Sequence, residues 1–306
     1  MTPNSPRDQA VLPALPLASW KDTLATLHMW TQVVGKVRLK LCPLVNHFWN
    51  VTFYLTARGM TTSPMPYPGG SIQGTIEVQF DFIEHKLMLE TNDGRVVTIA
   101  LQPMSVADFY KKFEAALNEV GVVAKIWTMP CEIPDPIRFE QDRVHASYDA
   151  EAVQKFWRIL VWVDQVLKEF RTGFLGKVSP VHFFWGSFDL AVTRFSGRPA
   201  PERPGADPIT REAYSHEVSS AGFWPGGGDI VGPAFYSYAA PEPPGFSERK
   251  VRPSAAFYHP QMKEFLLMYD DVRTAADPKA ALMEFLHSTY DAAASLGNWD
   301  RKALER

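Results

Sequence analysis

The residues with the clearest potential for chemistry lie in the second half of the chain. His216 and Glu217 are adjacent, and a histidine beside a carboxylate can supply a general acid and a general base near neutral pH. Arg194 and Arg198 could hold an anionic substrate group through two-pronged hydrogen bonds. We therefore predict that His216, Glu217 and Asp189 are catalytic, and that the two arginines position a substrate.

Aromatic and polar side chains of the same region, Tyr238 among them, could form the walls of a pocket. The second half carries about twenty extra residues before its Pro-Gly-Gly turn, and loops inserted on a rigid sheet often bind ligands. We expect the pocket between the two halves or beneath the insertion 196–223. For any single residue the alternative is structural: Arg194 could pair with Asp189. The further predicted substrate-binding residues are Trp185, Tyr214, Trp224, Tyr236 and His182.

Several familiar catalytic motifs are absent from the sequence. His216-Glu217 lacks the second histidine of a zinc-binding helix, and Ser187 lacks the Gly-x-Ser-x-Gly context of a hydrolase nucleophile. Neither Pro-Gly-Gly turn is followed by the Lys-Ser/Thr pair of a phosphate-binding loop. The sequence therefore predicts no metal site and no cofactor site and leaves any cofactor unknown, although His47, His182 and His216 could still meet in space.

Composition restricts the classes of partner. The chain has 306 residues with a formal charge of -3, so it lacks the basic field that favours nucleic-acid binding. Cys42 and Cys131 are its only cysteines, and no apolar signal segment follows the polar start. The longest apolar runs are far shorter than the roughly 20 residues that cross a bilayer. We expect a cytoplasmic monomer or homodimer with a small-molecule ligand and no contact with nucleic acid or membrane.

Apolar spacing and capping residues predict four helices and, between them, two groups of strands. The fold class is therefore α+β, with antiparallel sheets, flanking helices and two tandem pseudo-symmetric helix-strands-helix repeats. We predict a tail 1–18, a first half 19–140 and a second half 141–300. The helices are predicted from Ser19 to Gly35, Ser105 to Gly121, Asp149 to Phe170 and Asp277 to Gly297. The strands are predicted at 45–57, 76–82, 86–91 and 95–101, then at 182–195, 215–223, 234–239, 255–258 and 264–269.

The repeat rests on two signatures that occur twice in the same order. The first is Gly-Lys-Val, Pro, a His-aromatic-Trp strand and an arginine, and it begins at Gly35 and again at Gly176. The second is an aromatic-Pro-Gly-Gly turn, at 67–70 and 224–227. Proline fixes φ and glycine tolerates positive φ, so we interpret both turns as structural chain reversals under a packed aromatic ring.

The register of the repeated strands decides which side chains face the core. Aligning Trp49 with Trp185 reverses the apolar faces, whereas aligning His47 with His182 preserves them. We prefer the second register, which places Asp189 on a wet or cleft surface and His182 near the edge of the core. It puts Phe184, Phe188, Leu190 and Val192 on the core side and Trp185, Ser187, Asp189 and Thr193 on the other.

The stretches 182–198 and 211–225 resemble the bacterial domain-of-unknown-function family 5996, and the similarity runs from Pro13-Ala14-Leu15-Pro16-Leu17 to the last helix. The resemblance implies no activity and carries over no catalytic residue. It implies that the chain is one complete cytosolic protein.

These observations favour a small-molecule enzyme that applies acid-base chemistry to an anionic or aromatic substrate. The alternatives are a non-catalytic carrier or sensor with aromatic walls, and a scaffold protein that binds a partner chain. Convergent Arg, His and Glu in a deep pocket would favour the enzyme. An aromatic pocket without titratable groups would favour the carrier, and a flat apolar patch the scaffold.

Overall fold

The computed structural model describes residues 12–68 and 74–306, which form an α+β fold of helices and two six-stranded antiparallel sheets. This confirms the predicted α+β class with antiparallel sheets and flanking helices. The helices are α1 (Leu17–Leu41), α2 (Val106–Glu119), α3 (Ala150–Thr172), α4 (Pro208–Ala213), α5 (Tyr269–Arg273), α6 (Pro278–Leu296) and α7 (Arg301–Leu304). None of the helices in the described ranges is long and apolar enough to cross a bilayer.

The first sheet lies between α1 and α2 along the chain. Its strands are β1 (Tyr54–Leu55), β2 (Gly59–Thr61), β3 (Met65–Tyr67), β4 (Gly74–Asp81), β5 (Lys86–Thr91) and β6 (Val96–Ala100). Their order is β1-β2-β4-β5-β6, with β3 also pairing with β4. Strand β4 alternates between buried and half-buried side chains, as expected for a sheet with one face on the core.

The second sheet carries the region of predicted chemistry. Its strands are β7 (His182–Phe184), β8 (Asp189–Pro199), β9 (His216–Trp224), β10 (Ala234–Ala240), β11 (Phe257–His259) and β12 (Glu264–Met268), in the order β11-β12-β10-β9-β8-β7. One face, which includes Leu190, Phe223 and Phe235, belongs to the large core with α3 and α6. The opposite face, with Asp189 and Tyr236, borders the candidate site described below.

Three of the predicted helices have the predicted caps. Ser105 accepts a hydrogen bond from the Asp108 amide at 3.1 Å, Asp149 accepts from the amides of residues 151 and 152, and Asp277 accepts from that of residue 280. These side chains satisfy amides that the first turn of a helix leaves without partners. Pro278 stands at the start of α6, where its missing N–H costs nothing.

The prediction for the first helix was wrong at both ends. Ser19 does not cap α1; its hydroxyl donates to the carbonyl of Pro16, and Leu17 and Ala18 of the predicted tail already belong to the helix. The helix also continues through Gly35 to Leu41. Gly35 leaves room for the Trp185 ring, because a Cβ at this position would lie 2.4 Å from three of its ring atoms. Residues 1–11 of the predicted tail lie outside the described residues.

The long strand predicted at 45–57 is also wrong. Residues 46–48 form a 3₁₀ turn in which His47 and Phe48 have positive φ, and only Tyr54–Leu55 pairs as a strand within the first sheet. The amide of Val51 donates to the Phe48 carbonyl at 3.1 Å, so local turn bonds replace the sheet ladder. The alternating pattern therefore reflects a compact turn with buried and half-buried side chains in succession.

The predicted duplication stays unconfirmed. Both halves run helix, strands, helix, but their sheets have different strand orders. Gly35-Lys36-Val37 lies within α1, whereas Gly176-Lys177-Val178 follows α3 outside any helix. In the second turn Gly226 has φ +92° and Trp224 lies over Gly227, as predicted. In the first turn, Gly69, Gly70 and the following Ile72 lie outside the described residues.

The two sheets are joined by a short antiparallel bridge. The amide of Phe53 donates to the Phe183 carbonyl at 2.9 Å, and the amide of Phe183 donates to the Phe53 carbonyl at 2.8 Å. Both rings are fully buried. Next to this bridge, the Trp185 indole N–H donates to the Val51 carbonyl at 2.7 Å. The bridge therefore fixes the first half against the second at the point where the site forms.

We predict that Gly35→Ala destabilises the protein although alanine favours helices by about 1 kcal/mol. The new methyl group would overlap the buried, hydrogen-bonded Trp185 ring, and overpacking of this kind costs about 1–3 kcal/mol. Urea denaturation measures the change in the free energy of unfolding. The matched control is Gly173→Ala, whose Cβ would meet its nearest atom at 3.8 Å. Equal stability of the two variants would contradict the close approach.

Candidate functional site

A cavity of about 380 Å³ lies between the second sheet, α4 and segments of the first half. The size is in the range of cavities that bind small molecules. Both predicted locations are met, because residues from both halves line it and the insertion covers it. Its aromatic walls come from Trp49, Phe184, Trp185, Phe195, Tyr214, Tyr236 and Tyr238, and its polar lining includes His47, Glu132, Ser187, Asp189, Thr193 and Ser220.

Asp189, the first residue of β8, is the central ionisable group of the cavity. It is 7% exposed. The Ser187 hydroxyl donates to its Oδ1 at 2.6 Å, and the Tyr236 hydroxyl donates to its Oδ2. Burial raises the pKa of Asp189, and these two hydrogen bonds only partly oppose the rise. The carboxyl group therefore retains a proton more readily than an ordinary aspartate.

Glu132 supplies a second carboxylate at the mouth of the cavity, where its Oε1 lies against Gly186. Although the residue is exposed overall, the cavity walls desolvate its carboxylate and raise its pKa, and the nearby charge of Asp189 raises it further. No basic side chain of the described residues contributes to the pKa of Asp189 or Glu132. Among its described lining residues the cavity therefore has two carboxyl groups and no lysine or arginine side chain.

Two side chains of α1 hold the loops that carry these groups. The His28 Nε2–H is 3.0 Å from the Trp185 carbonyl and 2.8 Å from the Gly186 carbonyl. Because carbonyls only accept, Nε2 carries the hydrogen, and burial lowers the pKa of His28 to about 4. Gln32 accepts from the Cys131 amide and donates to its carbonyl, both at 2.9 Å. Helix α1 thus positions both the Trp185 turn and Glu132.

Three tyrosines line the cavity, Tyr236 and Tyr238 from β10 and Tyr214 from the end of α4. The hydroxyls of Tyr214 and Tyr238 are 3.0 Å apart, and the rings of Tyr236 and Tyr238 are stacked 6.1 Å apart. Glu264 lies in an adjoining recess with Tyr214 and Tyr238. Burial, with a smaller effect from Asp189, raises the pKa of Glu264 to about 7. Several weakly acidic hydroxyl and carboxyl groups therefore surround the cavity and its adjoining recess.

His47 connects helix α4, which covers the cavity, to the cavity wall. Its backbone amide donates to Glu212 Oε1 at 3.0 Å, and its Nδ1 lies 3.2 Å from the Glu212 carbonyl. The Lys177 ammonium group donates to its Nε2 at 2.6 Å. Burial, and then the charge of Lys177, lower the pKa of His47. A neutral His47 therefore holds α4, which contributes Ile209, Thr210 and Ala213 to the lining.

The cavity brings together four of the ten predicted site residues: Asp189, Trp185, Tyr214 and Tyr236. The face predicted for Asp189 and Thr193 is confirmed, since both line the cavity while Leu190 and Val192 belong to the core. The prediction was wrong for Phe184, which pairs with Asp189 and so shares its face. The reason is the turn between β7 and β8, where Phe188 has positive φ and the alternation is broken.

The predicted pair His216 and Glu217 does not line the cavity, and consecutive strand residues point to opposite faces. The His216 ring lies edge-on to His47 at 5.6 Å between centroids. Glu217 accepts from Arg198 Nη2 at 2.6 Å. Arg198 also donates to the carbonyls of residues 297 and 298 at the end of α6. In the structure Arg198 and Glu217 therefore hold the end of α6 against strands β8 and β9.

Three further predicted residues do not line the cavity. His182 is fully buried among rings, and burial lowers its pKa to about 3. Trp224 covers its own glycine turn. Arg194 points to the opposite face of the sheet, where its guanidinium lies 3.5 Å from the Phe170 ring centroid. Its predicted alternative, pairing with Asp189, is not observed in the described residues.

Glu132, His47 and Trp49 are cavity residues that sequence reasoning did not assign to the site. Tyr238, which belongs to the polar and aromatic group noted in the second half, does line the cavity, because it is two residues after Tyr236 on a strand and so shares its face. Glu132 lies in a segment without periodicity, and only the tertiary structure brings it to Asp189. Among the described residues no cluster of three or more His, Cys, Asp or Glu side chains could hold a metal ion.

We predict that Asp189→Asn gains stability relative to the wild type as the pH rises above about 4, where an unfolded aspartate ionises. Because the folded-state pKa is raised, the native wild type binds more protons in this window, and it loses stability as the pH rises. The asparagine variant does not titrate. Each unit of pKa elevation corresponds to about 1.4 kcal/mol.

Urea unfolding of both proteins between pH 4 and 8 measures this difference. Asp271→Asn, which makes the same substitution at an exposed position of α5, is the control. If the Asp189→Asn difference changed with pH no more than that of the control, the carboxyl group would not be perturbed as described.

Comparisons with known proteins place the chain in a family without giving it an activity. Its residues 12–306 match the model of a family described as a family of unknown function, DUF5996. No curated protein and no solved structure matches the chain. The match covers the two sheets, α1 and every residue of the cavity. The chain therefore belongs to the family of unknown function DUF5996.

Proposed function

We propose that the cavity binds a small molecule with a flat apolar body and a cationic or hydrogen-bond-donating nitrogen, and that Asp189 and Tyr236 exchange a proton with it. One observation carries the proposal. Asp189 is buried in an aromatic cavity and has no basic partner among the described residues. A buried carboxylate without a counter-charge favours a ligand that brings one.

The walls indicate the shape of this ligand. Trp49, Trp185 and Tyr214 provide large apolar faces, and a cation within about 6 Å of such a ring is attracted to it. Neither Arg194 nor Arg198 lines the cavity. The lining therefore supports the prediction of an aromatic ligand. In place of the predicted anionic group, it favours a cationic group or a neutral hydrogen-bond donor.

The carboxyl and hydroxyl groups support acid-base chemistry. A general acid or base works best when its pKa is near the working pH, and burial raises the pKa of Asp189 toward that range. The Tyr236 hydroxyl, which donates to Asp189, also lines the cavity. It can pass a proton between the carboxylate and a bound ligand. Such chemistry would make the protein an enzyme for small amines or related nitrogen compounds.

A carrier or sensor is the second candidate. Both oxygens of Asp189 already accept hydrogen bonds, and helix α4, fixed by His47, covers a cavity with mostly aromatic walls. These features fit a site that encloses a ligand without transforming it. The two candidates share the same cavity and the same ligand class, so binding is tested first and proton transfer second.

For binding, we expect phenethylamine to bind more tightly than 3-phenylpropanol, and 3-phenylpropionate to bind least. In Asp189→Asn, the ratio of the affinity for the amine to the affinity for the alcohol should fall by about tenfold, since a hydrogen bond to a charged group contributes about 1.5–3 kcal/mol. Isothermal titration calorimetry measures the affinities, and Asp271→Asn is the control. Tightest binding of the carboxylate, or an unchanged preference in Asp189→Asn, would contradict the proposal.

For proton transfer, native mass spectrometry of the purified protein identifies a retained ligand, which is then offered to the wild type and to Tyr236→Phe. This variant keeps the ring and removes the hydroxyl. An enzyme should lose about 10²–10⁴-fold in kcat with a smaller change in KM. Undiminished turnover in Tyr236→Phe would refute the role of Tyr236, and binding without any turnover in either protein would identify a carrier.

A further inference from the structure

A second cavity, of about 400 Å³, lies on the other face of the second sheet. It is bounded by α6, α7, the end of α3 and the loop 249–252. Strand β8 separates the two cavities, because Thr193 and Phe195 line the first and Arg194 lines the second. The second cavity is thus a separate site, and an inference about it does not depend on the proposed function.

Its lining is strongly basic. The cationic side chains are Arg194, Arg249, Lys250, Arg252, Arg301 and Arg306, and the carboxylates are Asp291 and Glu305. The whole chain has a formal charge of -3. The concentration of positive charge is therefore local and opposite in sign to that of the protein.

The two carboxylates are already engaged. Arg301 pairs with Asp291 at 2.5 Å and with Glu305 at 2.7 Å, and Glu305 also accepts from the Tyr290 hydroxyl at 2.8 Å. Arg249 reaches Asp291 only at 3.8 Å. In the described part of the chain, no carboxylate lies within 4.0 Å of Arg194 or Lys250. Arg252 pairs with Glu284, which lies outside the lining, at 2.9 Å. After these ion pairs are made, Arg194 and Lys250 remain as cations of the cavity without a carboxylate partner among the described residues.

Arg194 is the strongest indication of a missing anion. It is 3% exposed, yet it donates only to the Phe170 carbonyl, and its Nε has no hydrogen-bond partner among the described residues. The guanidinium is held between the rings of Phe170 and Tyr290, at 3.5 and 4.3 Å from their centroids. Burial lowers the pKa of Arg194 to about 10, and the charge of Glu305, which already pairs with Arg301, opposes this shift only in part. Because burying a cation is costly, an anion in the cavity would offset that cost.

We infer that this cavity binds a small organic phosphate. A single carboxylate brings one negative charge, whereas a phosphate monoester carries about -1.5 to -2 near pH 7 and matches several converging cations. Arg194 would contact it from the floor, and Arg249 and Lys250 from the rim. The cavity is larger than one phosphate group, so the organic part of the ligand has room beside His287 and Tyr290.

The test compares glycerol 3-phosphate, inorganic phosphate, acetate and glycerol at equal ionic strength by isothermal titration calorimetry. Glycerol 3-phosphate should bind most tightly, followed by inorganic phosphate, with acetate and glycerol at least tenfold weaker. Arg249→Ala/Lys250→Ala should weaken glycerol 3-phosphate at least tenfold. Both positions are exposed, so this variant is expected to fold.

The matched control is Lys111→Ala/Lys112→Ala, which removes two adjacent exposed cations from α2 and should change the affinity less than twofold. Binding of phosphate should also raise the pKa of His287 in NMR titrations, because the bound dianion would oppose the desolvation and the charge of Arg194 that lower it. Equal affinity for phosphate and acetate, or equal losses in the two double variants, would overturn the inference.

Discussion

The position of one indole ring governs how the two halves meet. Trp185 packs its ring on the Cα of Gly35 in α1, and its N–H donates to the carbonyl of Val51. This one side chain therefore connects the first helix, the irregular segment of the first half and the turn between β7 and β8. Close-packed interiors do not deform smoothly, so the ring leaves little freedom in the relative position of those three segments. The walls of the first cavity depend on this connection.

Much of the fold could be predicted from the sequence because its signals are local. A cap such as Asp149 acts on amides within one turn, and an alternating strand such as β4 shows its buried face directly. The exceptions follow from tertiary contacts. The sequence predicts that a helix ends at Gly35, but this glycine instead leaves room for the ring of Trp185, which is 150 residues away along the chain. The residues at 46–51 alternate in polarity but form a turn.

In the candidate site, too, some residues could be predicted from the sequence and others could not. Asp189, Tyr214 and Tyr236 could be found because they lie on or beside strands whose faces can be derived from alternation. Glu132 could not, since its place beside Asp189 depends on hydrogen bonds from Gln32 in α1. Arg198 and Glu217 illustrate the opposite error, since both are predicted as site residues but do not line the cavity. Their charges form an ion pair with each other. Residue type alone does not distinguish a charge that contacts a ligand from one that contacts another side chain.

Strand β8 shows how one segment can serve two environments. Its alternation sends Asp189, Thr193 and Phe195 toward an acidic aromatic space and Arg194 toward a basic one. Asp189 and Arg194 are both buried by the same sheet, on opposite faces, and among the described residues they form no salt bridge with each other. The two cavities therefore have opposite electrostatic preferences although they share a wall that is one strand thick.

The bridge between Phe53 and Phe183 has a consequence for how the chain folds. Its two hydrogen bonds close a loop of more than a hundred residues, and such long-range contacts slow folding because chain entropy is lost before they form. During synthesis the first half leaves the ribosome before residue 183 exists, so Phe53 and the carbonyl of Val51 have no partners at that stage. Because Tyr236 and Tyr238 line the acidic cavity, it can be completed only after translation has passed β10.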